Sequence, residues 1–266
     1  MKNHICISIS KKPGNFGKIV HNAGYKAIGL NWIYIPFKIT NLHDAIKGVR
    51  ALGIRGCSVS MPFKEKVLQY IDDIDPMAKQ IGSVNTIVNN NGLLKGYNTD
   101  YMGFQESFKK LDVKKDQRLL ILGSGGVSRA ILAAVKDLKF KHILISGRNY
   151  SKTKKLALKY NANLIKWERR EDYISDILIN TTPVGMKPQT NSMPVSKDFL
   201  KNFEGVFDVI VNPRETKLIK TAKALKIKNQ GGYTMSLSQA AAQFQLYTCK
   251  KAPVGVMEKA LKIAKM

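Results

Sequence analysis

Lys64, Asp100 and the amide and hydroxyl side chains around them are the residues of this 266-residue chain best suited to chemistry. Lys64 closes the stretch Ser58-Val-Ser60-Met-Pro-Phe-Lys64, which ends a strand and enters a helix. Asp100 closes Asn98-Thr-Asp100 at the junction of two halves of the chain, and Asn85 opens another strand. An ammonium beside a developing oxyanion both stabilises it and supplies the proton it needs, which is what hydride reduction of a ketone requires. A neighbouring carboxylate holds that ammonium in place. Lys64 and Asp100 are therefore the candidate acid/base pair. On the residues alone, a helix-surface role for Lys64 and a helix N-cap role for Asp100 before Tyr101 stand slightly ahead of that chemistry.

A glycine-rich turn follows in Leu120-Ile-Leu-Gly-Ser-Gly-Gly-Val-Ser-Arg-Ala130. Gly123 permits a tight turn out of a strand. Gly125 and Gly126 remove side chains, so that backbone N–H groups and a helix N-terminus reach a pyrophosphate. The pattern departs from strict GxGxxG, because Ser128 takes the third glycine position and close helix packing falls to Ala130. The next strand ends in Ser146-Gly147-Arg148-Asn149, with Lys152 one turn later. A site for NAD places an acidic residue there, on the ribose 2′-hydroxyl. Arg148 and Lys152 suit a 2′-phosphate instead, and an arginine also stacks on adenine, so NADP is expected over NAD. The candidate cofactor-binding residues are Gly123, Ser124, Gly125, Gly126, Val127, Arg148, Lys152 and Gly232.

The elements that must hold these residues alternate. Strands are expected at His4 to Ser10, Asn31 to Pro36, Gly56 to Ser60 and Thr86 to Asn89, with a turn at Asn89 to Gly92 and a short return through Leu93 to Gly96. Helices are expected at Gly17 to Tyr25, Leu42 to Leu52 and Phe63 to Tyr70, and the succession predicts a parallel α/β sheet. A second unit begins near Asp116. It places a strand before the glycine turn, a helix over Val127 to Leu138, and further strands at His142 to Ser146, Ile177 to Asn180 and Val206 to Val211, a βαβ series of dinucleotide-binding type.

Composition narrows the class. Apolar residues make up 44% and charged residues 24%, with no low-complexity tract, so the chain is expected to be globular. No stretch has the length of a membrane span or the form of a signal peptide, and the expectation is a soluble, cytoplasmic protein. Cys6, Cys57 and Cys249 are too few and too scattered for a metal or redox motif, and the four histidines lie apart, so no metal is expected. The net charge of +25 raises nucleic-acid binding as an alternative. The excess is lysine spread along helices, with neither arginine nor aromatics clustered beside it, so a solvated surface is expected and no nucleic-acid partner. Oligomeric state is left as monomer or homodimer.

The segments GCSVSMPFKE, IGSVNTIV, GYNTDYMG, LGSGGVSRA, INTTPVGM and SQAAAQF run in that order across essentially the whole chain. In wording, order and spacing they resemble the shikimate dehydrogenase family. The resemblance implies a two-domain α/β fold. An N-terminal parallel or mixed substrate-binding domain over 1–101 precedes a Rossmann-type NADP-binding domain over 102–232, and C-terminal helices over 233–266 return to the first domain, with the active site in a cleft between domains. It implies NADP-linked interconversion of 3-dehydroshikimate and shikimate, or of quinate or another small ring hydroxy acid. Lys64 and Asp100 take the places of the family's catalytic lysine and aspartate, and Ser60, Asn85 and Gln239 the places that bind substrate hydroxyls.

The chain also departs from the family. Where members carry a Ser-x-Ser pair that binds the substrate carboxylate, this sequence has Asn15-Phe16-Gly17, leaving Asn15 one amide and Lys18 a charge to offer. Ser58 replaces a usual asparagine, Ser60 a usual threonine and Val211 a common tyrosine. These departures resemble the divergent shikimate dehydrogenase-like branch, and the expectation for this chain is that nicotinamide chemistry survives while substrate recognition is weakened or changed. A non-catalytic NADP- or metabolite-binding protein is the remaining alternative, and an intact Lys64, Asp100 and Gln239 set argues against it.

Overall fold

The computed structural model describes residues 3–264. The chain divides into two compact units, Met1–Met102 with Leu237–Met266, and Gly103–Ser236.

The first unit contains β1 (His4–Ser10), α1 (Phe16–Ala27), β2 (Trp32–Lys38), α2 (Leu42–Ala51), β3 (Gly56–Val59), β4 (Asp73–Ile74), α3 (Pro76–Ile81), β5 (Thr86–Asn90), β6 (Leu93–Tyr97) and the start of α4 (Thr99–Phe108). Strand alternation sorts the two faces of the sheet. Ile7 and Ile9 of β1 and Cys57 and Val59 of β3 pack with Ile46 and Val49 of α2 in one buried cluster, so Ser8 and Ser58, register partners on the same strands, face the opposite side. The strand order is β2-β1-β3-β5-β6-β4.

Of the parallel or mixed sheet expected, the mixed form is found. β3 pairs β5 and β5 pairs β6 antiparallel. The β5–β6 reversal comes from the two-residue turn between Asn90 and Leu93, in which Asn91 and Gly92 take φ values of 52° and 93°. Asn-Gly is the favoured sequence for such a turn, which joins only antiparallel strands. The reversal has a consequence for chemistry. The start of β5 and the end of β6 lie where β3 ends, as the partners Ser58 with Thr86 and Thr86 with Tyr97 show. Asn85 and Asn98 to Asp100 therefore emerge at the end of the sheet from which the chain leaves β3 toward Lys64.

The helix expected over Phe63 to Tyr70 is corrected, to turns followed by a 3₁₀ helix at Lys66–Tyr70. The Lys64 carbonyl accepts from the Val84 N–H at 2.8 Å. It is engaged by the segment entering β5 rather than by a helical ladder.

The second unit continues through β7 (Leu119–Leu122), α5 (Gly126–Asp137), β8 (Ile143–Ser146), α6 (Tyr150–Tyr160), β9 (Asn163–Ile165), β10 (Ile177–Asn180), α7 (Lys197–Leu200), β11 (Gly205–Asp208), α8 (Lys217–Ala224) and β12 (Lys228–Gly231). All neighbouring strands are parallel, in the order β12-β11-β10-β7-β8-β9. This is the doubly wound dinucleotide-binding order, which reverses between β7 and β10. Every residue of β7, β10 and β11 is buried, as strands covered on both faces require.

The chain ends with α9 (Gly232–Thr248) and α10 (Val254–Ile263), the latter packed on α1. No helix among the described residues is long and apolar enough to cross a membrane.

Candidate functional site

In the first unit, the Lys64 ammonium donates to Asp100 Oδ2 at 2.5 Å, with side chains only 12% and 8% exposed. Asp100 stands in the first turn of α4, but it is not the cap. Asn98 takes that role, its Oδ1 accepting from the Tyr101 N–H at 3.3 Å while its Nδ2 donates to the Ser83 carbonyl at 2.8 Å. The Asp100 carboxylate is thereby left to the lysine. A buried pair of this kind is costly to break from one side, because the survivor stays desolvated and unpaired.

A polar network adjoins the pair through Thr99. Asn85 Oδ1 accepts from the Thr99 N–H at 2.8 Å, the Thr99 hydroxyl at 3.1 Å and the Thr86 hydroxyl at 2.8 Å. Gln239 Nε2 donates to Thr99 Oγ1 at 3.2 Å. The structure thus brings together Lys64, Asp100, Asn85 and Gln239. Ser60 lies exposed just past β3, where its carbonyl accepts from the Phe63 N–H at 3.0 Å in the turn that leads to Lys64. Asn15 is exposed at the start of α1, its side chain makes no capping bond, and no hydrogen bond joins it to the others.

Gln243 did not emerge as a site residue from the sequence. It is buried on α9, and its Nε2 lies 3.0 Å from Ser58 Oγ and 2.9 Å from Thr86 Oγ1, while its Oε1 accepts from His21 Nε2 at 3.4 Å. Burial pushes the His21 imidazole down to about 4, against the opposing effect of Gln243. The available signal was its spacing: Gln239 and Gln243 stand one helical turn apart, on one face of α9.

In the second unit, Gly123 leaves β7 with φ of 121°, and a Cβ on it would lie 2.3 Å from Thr181 Oγ1. Only glycine fits that position. Ser128, at the third glycine position, accepts from the Gly125 N–H at 3.0 Å and lies 2.6 Å from Thr181 Oγ1, so its hydroxyl ties the loop to the strand across the switch point. A Cβ at exposed Gly125 would meet nothing within 4 Å. Backbone at the start of α5 is thus open to a ligand, and its first turn carries no acidic residue. These features fit a dinucleotide pyrophosphate at a helix N-terminus.

After β8, Asn149 caps α6 by accepting from the Lys152 N–H at 2.9 Å, and the side chains of Arg148 and Lys152 are exposed. Ser124 and Val127 flank the open turn. Gly232 opens α9 buried against backbone, since a Cβ would lie 2.3 Å from the Val209 carbonyl oxygen. Among the described residues, no group of three or more His, Cys, Asp or Glu side chains is arranged to hold a metal ion.

Comparison with known proteins finds family matches in both units. Residues 14–87 match the shikimate dehydrogenase substrate binding domain, 105–217 the shikimate / quinate 5-dehydrogenase family, and 232–262 the shikimate 5′-dehydrogenase C-terminal domain. The chain is 42% identical over 246 residues to a shikimate dehydrogenase-like protein of Haemophilus influenzae, covering 92% of this chain and 90% of the relative. It is 39% identical over 241 residues to the shikimate dehydrogenase (NADP(+)) of Caldanaerobacter subterraneus, covering 86% of each. A crystal structure of a shikimate dehydrogenase in complex with NADP+ superposes with a TM-score of 0.88 at 33% identity, covering 100% of this chain and 96% of that one.

Proposed function

The chain belongs to the shikimate dehydrogenase family, and from that premise we propose that it is an NADP-dependent oxidoreductase acting on a CH–OH group, interconverting 3-dehydroshikimate and shikimate or a close ring analogue. The observation that carries the reading is the buried Lys64–Asp100 ion pair, joined through Thr99 to Asn85 and Gln239. NADPH, when bound, supplies the hydride. Lys64 donates the proton taken up by the developing alkoxide and accepts it in the reverse direction, while Asp100 keeps the ammonium in position.

Ser60, Asn85 and Gln239 are assigned to the substrate hydroxyls. Thr86 and Thr99 hold the Asn85 oxygen and so fix its amide plane, with its nitrogen as the donor. The turn from Gly123 through Val127, open at Gly125, is assigned the pyrophosphate, Arg148 and Lys152 the 2′-phosphate, and Gly232 the nicotinamide end. The free thiols of Cys6, Cys57 and Cys249 suit the cytoplasm, where we place the protein.

A second reading, a dehydrogenase for quinate or another hydroxy acid, is favoured by one observation: Asn15-Phe16-Gly17 stands in place of the Ser-x-Ser pair. A steady-state assay crossing shikimate and quinate with NADP and NAD separates the two. NADP-linked oxidation of shikimate ahead of quinate supports the first reading, quinate ahead of shikimate the second. No nicotinamide-linked turnover of any ring hydroxy acid would leave a binding protein.

A further inference from the structure

We infer that Tyr34, with Ser8, Ser10 and Ser58, forms the donor set that binds the carboxylate of the ring acid, in place of the absent serine pair. The inference rests on the functional reading above and names the part of the site that reads the acid.

Gly17 and Tyr34 are complementary. A Cβ at Gly17 would lie 2.9 Å from both Cε1 and Oη of Tyr34, so the phenol fills the space that a side chain at 17 would need. The fit is held from several sides. The Asn22 side chain pairs with the Tyr34 backbone, accepting from its N–H at 2.7 Å and donating to its carbonyl at 3.1 Å. The His21 ring stacks on the Tyr34 ring at 4.5 Å and 11°. Gly17, His21 and Asn22 thus build α1 around this tyrosine, and a serine at 17 is incompatible with it as placed.

The phenol stands among donors. Ser8 and Ser58 are register partners on β1 and β3, and both hydroxyls lie close enough to Tyr34 Oη to interact with it. Burial holds the phenol in its protonated, donating form. Gln243 donates to Ser58 Oγ, which directs the Ser58 proton onward. Ser10, on the same face as Ser8 by strand alternation, is 95% buried by its 5% exposure, and its hydroxyl has no hydrogen-bond partner among the described residues. The first turn of α1 carries no acidic residue, and the Asn15 side chain does not cap it.

The phenol thus stands at the first turn of α1, which no side chain caps and where Lys18 is exposed, with Ser8 and Ser58 at its oxygen, Ser10 farther along the same strand face, and no carboxylate among the set. Such surroundings favour an anionic acceptor. A carboxylate held by hydrogen bonds from charge-free donors answers both the geometry and the sign.

Binding of shikimate and of its methyl ester to the full-length protein, saturated with NADPH so that no reaction proceeds, tests this by calorimetry. The wild type is expected to prefer the acid. Tyr34→Phe keeps the ring that stacks on His21 and is expected to weaken the acid roughly tenfold to hundredfold, the range for a hydrogen bond to a charged group, with the ester little changed. Ser58→Ala gives the same collapse of preference if Tyr34→Phe fails to fold. An acid-over-ester preference that survives in a folded variant, or a wild type that binds both alike or neither, overturns the inference. A wild type that prefers the acid yet forms no NADPH with NADP+ would instead refute the catalytic reading and leave the clamp standing.

Discussion

The Lys64 ammonium and the Asp100 carboxylate meet at 2.5 Å in a site almost closed to solvent, and Asp100 is available for this because Asn98 caps the helix that carries it. Asp100→Asn keeps the shape and removes the charge that holds the ammonium. It is expected to lower kcat by about 10²-fold to 10⁴-fold, the usual contribution of a positioned acid/base group. NADPH affinity should be unchanged in a fluorescence titration. Wild-type kcat in this variant would make the pair structural.

Arg148 is exposed at the end of β8, beside the turn that starts α6. Arg148→Ala removes a fork of donors suited to the 2′-phosphate, which NADP carries and NAD lacks. NADP binding is expected to weaken by roughly tenfold or more while NAD binding changes little. Equal loss for both cofactors would assign Arg148 a structural role.

Gly123→Ala meets two obstacles at once, a φ of 121° and the Thr181 hydroxyl 2.3 Å from the new Cβ. The strain of such a conformation is of order 1–3 kcal/mol before any clash, so a lower Tm and weakened NADPH binding are expected together. Gly125→Ala, with open space around its Cβ, should leave Tm nearly unchanged. Equal Tm values for the two variants would contradict this account of the turn.

The cofactor half was legible because its signal is local. Gly123 and the residues after it stand next to one another in sequence, and the strand, turn and helix around them are regular. The elements that went unread there, such as β12 with Lys228 to Gly231, are short, polar edge pieces with no apolar alternation. In the first unit, Lys64 and Asp100 were legible by type and motif. Their contact depends on the antiparallel return of β5 and β6 about Asn91 and Gly92. Gln243 was not legible as a site residue, because its role comes from Ser58, Thr86 and His21, three partners far away in sequence.

Two buried groups give the units opposite responses to acid. Burial lowers His21 in the first unit to about 4 from 6.5, so the stability tied to its neutral form is present above 6.5 and is lost as pH falls toward 4. Burial raises Asp208 in the second unit to about 6 from 3.8, against hydrogen bonds from Thr216, the Ile210 N–H and Asn180, so its contribution is present below 3.8 and is lost as pH rises through 6. Each shift is worth up to about 3 kcal/mol. Hydrogen exchange, corrected for intrinsic rates, should show protection falling in the first unit and rising in the second between pH 6.5 and 4. Asp208→Asn should flatten the second response and His21→Phe the first. Unaltered profiles in both variants would contradict the assignment.

The most direct measurement is NADPH formation from shikimate and NADP+, followed by absorbance for the wild type and Lys64→Ala side by side. The wild type is expected to form NADPH, and Lys64→Ala to do so about 10²-fold to 10⁴-fold more slowly at saturating substrate. A Lys64→Ala rate equal to that of the wild type, or no NADPH from shikimate or any related ring hydroxy acid, would contradict the proposed function.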